Sequence, residues 1–585
     1  MEVTRIFDIL PYYLEKYPNQ DCALSAKRNG EWVKFSIQDY IETVNNLSYG
    51  FLKLGIKEGD KISIVSSNRP EWNMLDMAAM QIGAISVPIY PTISQADYKY
   101  IFNHAEIKLV FIEGKELRTK IEPILSEVKS IEHIYTFINQ EVHSYFDALV
   151  QLGKDNPAPE KVKELSAKID KMDMATIIYT SGTTGNPKGV MLSHNNIVQQ
   201  IMNLQQTPAK WSNRALSFLP LCHAYERALV YLYQYLGMSV YYAESLATIA
   251  DNIKEVTPTM MTCVPRLLEK IYDKLYMSGN KLSFIQKIIY YWAFNLATKY
   301  KVEDRSVWYD FRHKIADKLI YSKWRAALGG NFDIVVSGGS AIQSHIAAFF
   351  SAIGMPVFEG YGLSETSPVI AVMNRNKGGR QFGTVGQKLG GTELKIGENN
   401  EILTRGHNVM LGYYKDPELT EKVIDKEGWL HTGDTGILLE NGALKITGRL
   451  KNIFKTSFGK YINPQVIESK FEESGFIESM CVFGENKKFA AALIVPDFEF
   501  LNAWCKKHKI NFTTKEEMVK NKEVYGRIVK EVKLLNKNFG DWEQIKKFEL
   551  LTDDWHKMGF FTPTLKVKKN LVEEYYKEKI EKLFA

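Results

Sequence analysis

Thr176-Ile177-Ile178-Tyr179-Thr180-Ser181-Gly182-Thr183-Thr184-Gly185-Asn186-Pro187-Lys188-Gly189-Val190 sets a short apolar strand directly before a run of hydroxyls, glycines and one lysine. Glycines let backbone N–H groups converge on an anion without obstruction, the four hydroxyls between Thr180 and Thr184 are neutral donors, and Lys188 adds a positive charge. This is phosphate-handling chemistry. It is not the loop of P-loop kinases and ATPases, because four residues on from Gly182 stands Asn186, followed by Pro187 where Gly-Lys-Ser/Thr would be required. A Gly/Thr-rich segment alone also reads as a plain turn; the full string from Tyr179 to Gly189 argues against that.

Outward from the loop, the strand-then-helix rhythm recurs. From Ser36 to about Phe111, runs such as Lys61-Ile62-Ser63-Ile64-Val65 and Ala84-Ile85-Ser86-Val87-Pro88-Ile89 alternate with helical patterns, as in βα units around a mainly parallel sheet. The rhythm returns from Ala175 to about Val264, with a strand expected at Ser239-Val240-Tyr241-Tyr242, and again from Asp333 to Phe358. The three blocks read as one large α/β body. After Gly383 short glycine-punctuated strands predict a small β-rich subdomain, and from Arg449 a basic α+β unit begins. The expected domains are therefore residues 1–448, β-rich at about 383–448, and residues 449–585.

The chain of 585 residues, 45% hydrophobic and 24% charged, has ordinary globular composition, with no solenoid-length repeat or low-complexity tract. Its net charge is +6; residues 449–585 carry 26 Lys+Arg against 20 Asp+Glu, leaving 48 against 48 for the rest. Such a basic end suits a polyanionic small molecule, and equally a solvated surface. Five cysteines without a Cys-x-x-Cys pair indicate neither a disulfide framework nor a zinc knuckle, and a reducing cytoplasm fits. The start of the chain meets Asp8 and Pro11 before any apolar run and is expected to be no secretion signal. The longest stretches free of charge, 334–358 and 228–243, are too polar to span a bilayer.

Tyr179 to Gly189 resembles the signature loop of the adenylate-forming (AMP-binding) superfamily, which includes acyl-CoA synthetases, luciferases and peptide-synthetase adenylation domains. Five further stretches resemble its motifs in the expected order: Leu219 to Glu226, Ser337 to Ala341, Glu359-Gly360-Tyr361-Gly362-Leu363-Ser364-Glu365-Thr366, Gly428 to Asp434, and the hinge Thr447-Gly448-Arg449-Leu450-Lys451-Asn452. The resemblance covers about Tyr40 to Asn570. It implies a large N-terminal α/β body with a β-rich subdomain and a mobile α+β C-terminal lobe.

Activating a carboxylic acid with ATP brings two anions together, so positive groups must converge on the phosphates. The resemblance implies that Thr180, Ser181, Gly182, Thr183, Thr184, Gly185 and Lys188 hold the β- and γ-phosphates and that Glu365 ligates Mg2+. It places adenine against Gly338, Gly339, Ser340, Gly360, Tyr361 and Gly362, with Ser364 where threonine is commoner; ribose falls to Asp434 and Arg449. Near the C-terminus Thr562-Pro563-Thr564-Leu565-Lys566 resembles the terminal catalytic motif, which makes Lys566 the bridge between carboxylate and α-phosphate. Lys451 occupies the hinge, about which the lobe would swing to withdraw Lys566 and bring Lys455, Ser457 and Gly459 to the acyl-adenylate and coenzyme A.

Val87 to Thr92, Val264-Pro265-Arg266-Leu267-Leu268 and the Leu565-Lys566-Val567-Lys568 ending resemble the long-chain fatty-acid–CoA ligase branch. On the acyl and coenzyme A side the expected residues are His223 and Leu268, with Val230 to Leu236 reading either as channel or as core; Leu268 stands where one bacterial type has a gating tryptophan. The expected partners are fatty acid, ATP and coenzyme A, and no nucleic acid. The alternatives are an acyl-AMP ligase serving a carrier-protein thiol, a ligase for medium-chain or aryl acids, and a non-catalytic binding protein. Ile288 to Phe294 is apolar almost all round and is expected to be a buried helix; the rival expectation is peripheral contact between this insertion, about Leu282 to Tyr321, and a membrane.

Overall fold

The computed structural model describes residues 2–137, 144–180, 186–207, 211–555, 557–561 and 567–585, with Ser144 and Lys451 described by their backbone alone. Two large sheets form the body. The first has eight strands in the order Gly412–Tyr413, Lys188–Ser193, Met174–Thr180, Ile85–Ile89, Lys61–Val65, Ile107–Ile112, His133–Thr136 and Ser144–Tyr145. Its centre is parallel, as in the pairing of Lys61–Val65 with Ile85–Ile89. Parallel neighbours need a crossover, here the helix Pro70–Gln81. Met174–Thr180 then turns antiparallel into Lys188–Ser193, so that the residues of the quoted loop connect the two.

The second sheet has nine strands, with the parallel run Val357–Tyr361, Ile334–Ser337, Met260–Cys263, Arg214–Ser217 and Ser239–Tyr242. Its far edge is the hairpin Leu24–Arg28 and Glu31–Phe35, whose first strand lies parallel to Ser239–Tyr242. Central strands such as Ile334–Ser337 are buried throughout, which is why they read as continuous apolar runs. Helix Ala224–Tyr235 belongs to a core that draws side chains from both sheets. Inside this helix Arg227, fully buried, donates to Asp76 at 2.6 Å and to Thr176 at 2.7 Å, joining the helix to strand Met174–Thr180.

Strands Thr392–Ile396, Glu401–Gly406, Leu430–Leu438 and Leu444–Arg449 make the small antiparallel sheet. Beyond it, a three-stranded sheet of Ile477–Phe483, Ala490–Pro496 and Ile545–Leu550 packs with helices around its own cores. Polar contacts across the junction include Gln343 Nε2 donating to the Glu472 carbonyl at 3.3 Å, and Arg266 with Glu478 at 3.5 Å.

The expectation of a fully buried helix around Ile288 to Phe294 is corrected. Helix Phe284–Ala297 buries Tyr290, Ala293, Phe294 and Ala297 against the core, whereas Phe284, Ile285, Ile288 and Ile289 face solvent. The all-round apolar pattern therefore marks two different faces. Among the described residues no helix is long and apolar enough to cross a membrane.

Candidate active site

The hairpin register sets Thr180 opposite Lys188, both half-buried. Ser181, Gly182, Thr183, Thr184 and Gly185 lie outside the described residues, and so does Lys566. The Lys188 ammonium stands 5.5 Å from the ring centre of Tyr413, and the Tyr413 hydroxyl donates to Glu365 Oε1 at 2.8 Å. One tyrosine thus joins Lys188 to Glu365, the acid of the Glu359 to Thr366 stretch. Glu365 is held from its own backbone as well, since its carbonyl accepts from Met410 N at 3.0 Å. Burial, then the neighbouring Glu365 carboxylate, raise the Tyr413 phenol well above its ordinary value, so it remains a donor.

A second constellation closes on Asp434. Its Oδ2 accepts from the Tyr361 hydroxyl at 2.8 Å and its Oδ1 from Arg449 Nε at 2.7 Å. Asp434 and Arg449 are cross-strand partners in the small sheet, while Tyr361 ends a strand of the nine-stranded sheet. Burial foremost, then the Asp434 charge, hold the Tyr361 phenol well above its ordinary range. Burial disfavours the Arg449 cation, but Asp434 more than offsets it and its pKa is raised. Each carboxylate oxygen keeps a further lone pair, so Asp434 can still accept from a ligand hydroxyl.

Between helices His194–Leu204 and Ala224–Tyr235 and the nine-stranded sheet lies a cavity of about 60 Å3. Its wall joins the apolar side chains of Leu204, Leu229, Leu232, Met260, Ile334 and Val336 to Gly338, Gly339, Gly360, Tyr361 and Gly362, with His223 and Tyr225 also lining it. Gly362 has no substitute, since a Cβ there would lie 1.8 Å from the Pro368 carbonyl oxygen. Gly339 takes φ +84°, a left-handed conformation that favours glycine. His223 Nδ1 accepts from Tyr225 N at 3.2 Å and caps the helix Ala224–Tyr235. Ser340 is exposed beyond Gly339, and Ser364 is buried in the turn that presents Glu365.

Leu268 is not on this wall. It is fully buried in a separate core with Phe294 and Phe349. Of the stretch Val230 to Leu236, Leu232 meets the cavity, while Tyr231 and Tyr233 are core. On the C-terminal unit, Lys455, Ser457 and Gly459 are exposed on a small hairpin, Phe454–Lys455 against Tyr461–Ile462. Val567 bridges Phe561 just after the segment that contains Lys566.

Two residues were not singled out by the sequence. Tyr413 lies far along the chain from both its partners and carries no local motif of its own. Glu359 precedes Gly360 and turns away from the cavity; burial pushes its carboxyl up to about 8 against the pull of the Ile342 and Gly383 N–H groups, and Oε1 has no hydrogen-bond partner among the described residues. An acid in an otherwise apolar strand was the available signal.

The chain matches the family described as AMP-binding enzyme over residues 12–414 and the AMP-binding enzyme C-terminal domain over residues 452–585. Fatty acyl-CoA synthetase A of Dictyostelium discoideum is 30% identical over 96% of this chain and 87% of its own length. The long-chain-fatty-acid–CoA ligase FadD15 of Mycobacterium bovis is 31% identical over 95% of this chain and 93% of its own. Among solved structures, the A domain of a carboxylic acid reductase from Segniliparus rugosus, in complex with AMP and a co-purified carboxylic acid, has a TM-score of 0.77 at 18% identity, covering 99% of this chain and 94% of that one. A Mycobacterium tuberculosis fatty acyl CoA synthetase has a TM-score of 0.64 at 17% identity, covering 98% and 99%.

Proposed function

The chain belongs to the AMP-binding enzyme family, and from that premise we propose that it is an AMP-forming long-chain fatty-acid–CoA ligase. A fatty-acid carboxylate oxygen attacks the α-phosphorus of ATP and pyrophosphate leaves; the coenzyme A thiol then gives up its proton, its sulfur bonds to the acyl carbon, and AMP leaves. The observation that carries this reading is the make-up of the cavity wall: apolar side chains share it with glycines and with Tyr361, which is bonded into the Tyr361–Asp434–Arg449 set. An alkyl tail gains about 0.8 kcal/mol per buried CH2, so the apolar lining favours a fatty acid over a small polar one. The relatives named as long-chain fatty-acid–CoA ligases support the same choice.

In this reading Asp434 and Arg449 take the ribose, Tyr361 and the glycines of both loops take adenine, and the loop from Thr180 to Lys188 takes the β- and γ-phosphates. The donor present fits Mg2+: Glu365, oriented by Tyr413 through one oxygen, can offer the other to a hard cation that draws its remaining ligands from phosphate and water. Bound there, the ion would neutralise charge on the phosphates. Lys566, carried on residues 449–585, would bridge the carboxylate and the α-phosphate, and rotation about Lys451 would exchange it for the hairpin of Lys455, Ser457 and Gly459 when coenzyme A arrives. His223 would stand beside the acyl carboxylate, and Leu268 would act from behind the wall rather than on it.

Coenzyme A-dependent AMP release, measured across acids from acetate to oleate, tests the proposal. Release should rise with chain length, with free coenzyme A as sufficient acceptor. Release only with a carrier-protein thiol, or a preference for aryl or short acids, would overturn it.

A further inference from the structure

Helices Phe284–Ala297 and Val307–Ala316 rest on the body by one side only. Their inner sides are tied down: the Phe294 ring lies 4.6 Å from that of Phe349 and His313 Nε2 donates to the Ala352 carbonyl at 2.8 Å, while Tyr309, donating to the Leu296 carbonyl at 2.9 Å, ties the two helices together. Their outer sides are bare. Phe284 is 79% exposed, Ile285 70%, Trp308 66% and Phe311 53%, and the spacing of Phe311, Ile315 and Leu319 continues one stripe. Single exposed apolar side chains are ordinary on any surface. Ten large ones between Tyr276 and Leu319 are a patch, and a patch of this kind marks an interaction site.

Charge identifies what it meets. Residues 281–325 hold ten Lys+Arg and four Asp+Glu, whereas the remainder of residues 1–448 holds 38 and 44. The body's even balance thus conceals a basic segment inside an otherwise acidic domain. Two of the four acids are occupied within the segment, Asp310 with Arg305 at 2.8 Å and Asp317 with Arg325 at 2.9 Å. Lys314 and Lys318 stand exposed among the apolar residues of their stripe, and the Arg312 guanidinium lies 5.7 Å from the ring centre of Trp292. Two copies pairing through this face would bring like charges together around an apolar centre, with no acidic surplus to answer them. An anionic lipid surface supplies both complements, apolar depth and negative phosphates.

We propose that this two-helix insertion docks on the anionic face of a lipid bilayer, lying in the interface and not crossing it, with Phe284, Ile285, Trp308 and Phe311 entering the acyl boundary. A surface that dissolves fatty acids would then be held against the enzyme, which is the one point at which the inference draws on the proposed function.

Flotation of the full chain with vesicles tests it without any catalytic readout, so its failure leaves the ligase reading untouched. With equimolar phosphatidylglycerol and phosphatidylcholine the protein should float, with binding reduced about tenfold on pure phosphatidylcholine. The paired substitution Ile285→Ser and Trp308→Ser should lower binding about tenfold or more, while ATP–pyrophosphate exchange without vesicles stays at the wild-type rate and certifies the fold. Lys314→Gln with Lys318→Gln should weaken binding to the anionic vesicles alone. Wild type left in the soluble fraction with both vesicles, or variants that float as well as wild type, would overturn the proposal. So would equal binding to both compositions, or a dimer in sedimentation velocity that Trp308→Ser abolishes.

Discussion

Replacing Tyr413 by phenylalanine removes one oxygen from the bridge between Lys188 and Glu365 and leaves the ring in place. What is lost is the 2.8 Å hydrogen bond to Glu365; what stays is the ring beneath the Lys188 ammonium. A hydrogen bond to a charged group contributes about 1.5–3 kcal/mol. Glu365 is half-buried and water can replace part of the bond, so the lower figure applies, a factor of about ten. Tyr413→Leu removes the cation–π contact as well, which adds about 0.5–2 kcal/mol. Oleate-dependent exchange of labelled pyrophosphate into ATP, titrated with MgATP, reads both effects as kcat/KM. The order should be wild type, then Tyr413→Phe, then Tyr413→Leu. A phenylalanine variant indistinguishable from wild type would refute the view that this hydroxyl orients the acid.

Asp76→Ala leaves Arg227 charged and buried without its carboxylate, a loss of about 3–5 kcal/mol in urea unfolding, most of which Asp76→Leu combined with Arg227→Met should restore; a double variant as weak as the single one would contradict this. Glu359, whose carboxyl is raised to about 8 from the ordinary 4.5, keeps in the folded state a proton that the unfolded chain surrenders. Its contribution is therefore full below pH 4.5 and is lost as pH rises through about 8, a change on the order of a few kcal/mol. Glu226, raised by burial to about 7, tilts stability the same way in wild type and in a Glu359→Gln variant. Thermal melts of Glu359→Gln from about pH 5 to 8.5 should accordingly be flatter than those of wild type; parallel profiles would show that Glu359 ionises freely.

Much of the fold was legible because buried parallel strands announce themselves. The expected strands at Lys61 to Val65 and Ser239 to Tyr242 coincide with observed ones, since each is a short apolar or alternating run bounded by glycine, a turn or a helix. Their division between two sheets was not legible. Leu24–Arg28 joins the nine-stranded sheet beside Ser239–Tyr242, a pairing over more than 200 residues that no local pattern encodes. The site follows the same rule. Motif residues such as Tyr361 and Asp434 could be named from their surroundings, but the bond between them, and the Tyr413 bridge, arise where three separate sheets meet. The insertion misled for a physical reason: a helix whose core-facing and solvent-facing sides are both apolar has the composition of a helix that is simply buried.

The most direct test of the account separates the two half-reactions in Lys566→Ala. Fatty-acid-dependent pyrophosphate exchange should fall by at least about a hundredfold, the scale of removing a charge that stabilises a transition state, while thioester formation from supplied acyl-adenylate and coenzyme A stays near wild type. Equal loss in both steps, or exchange left intact, would contradict a lysine that is delivered for adenylation and then withdrawn.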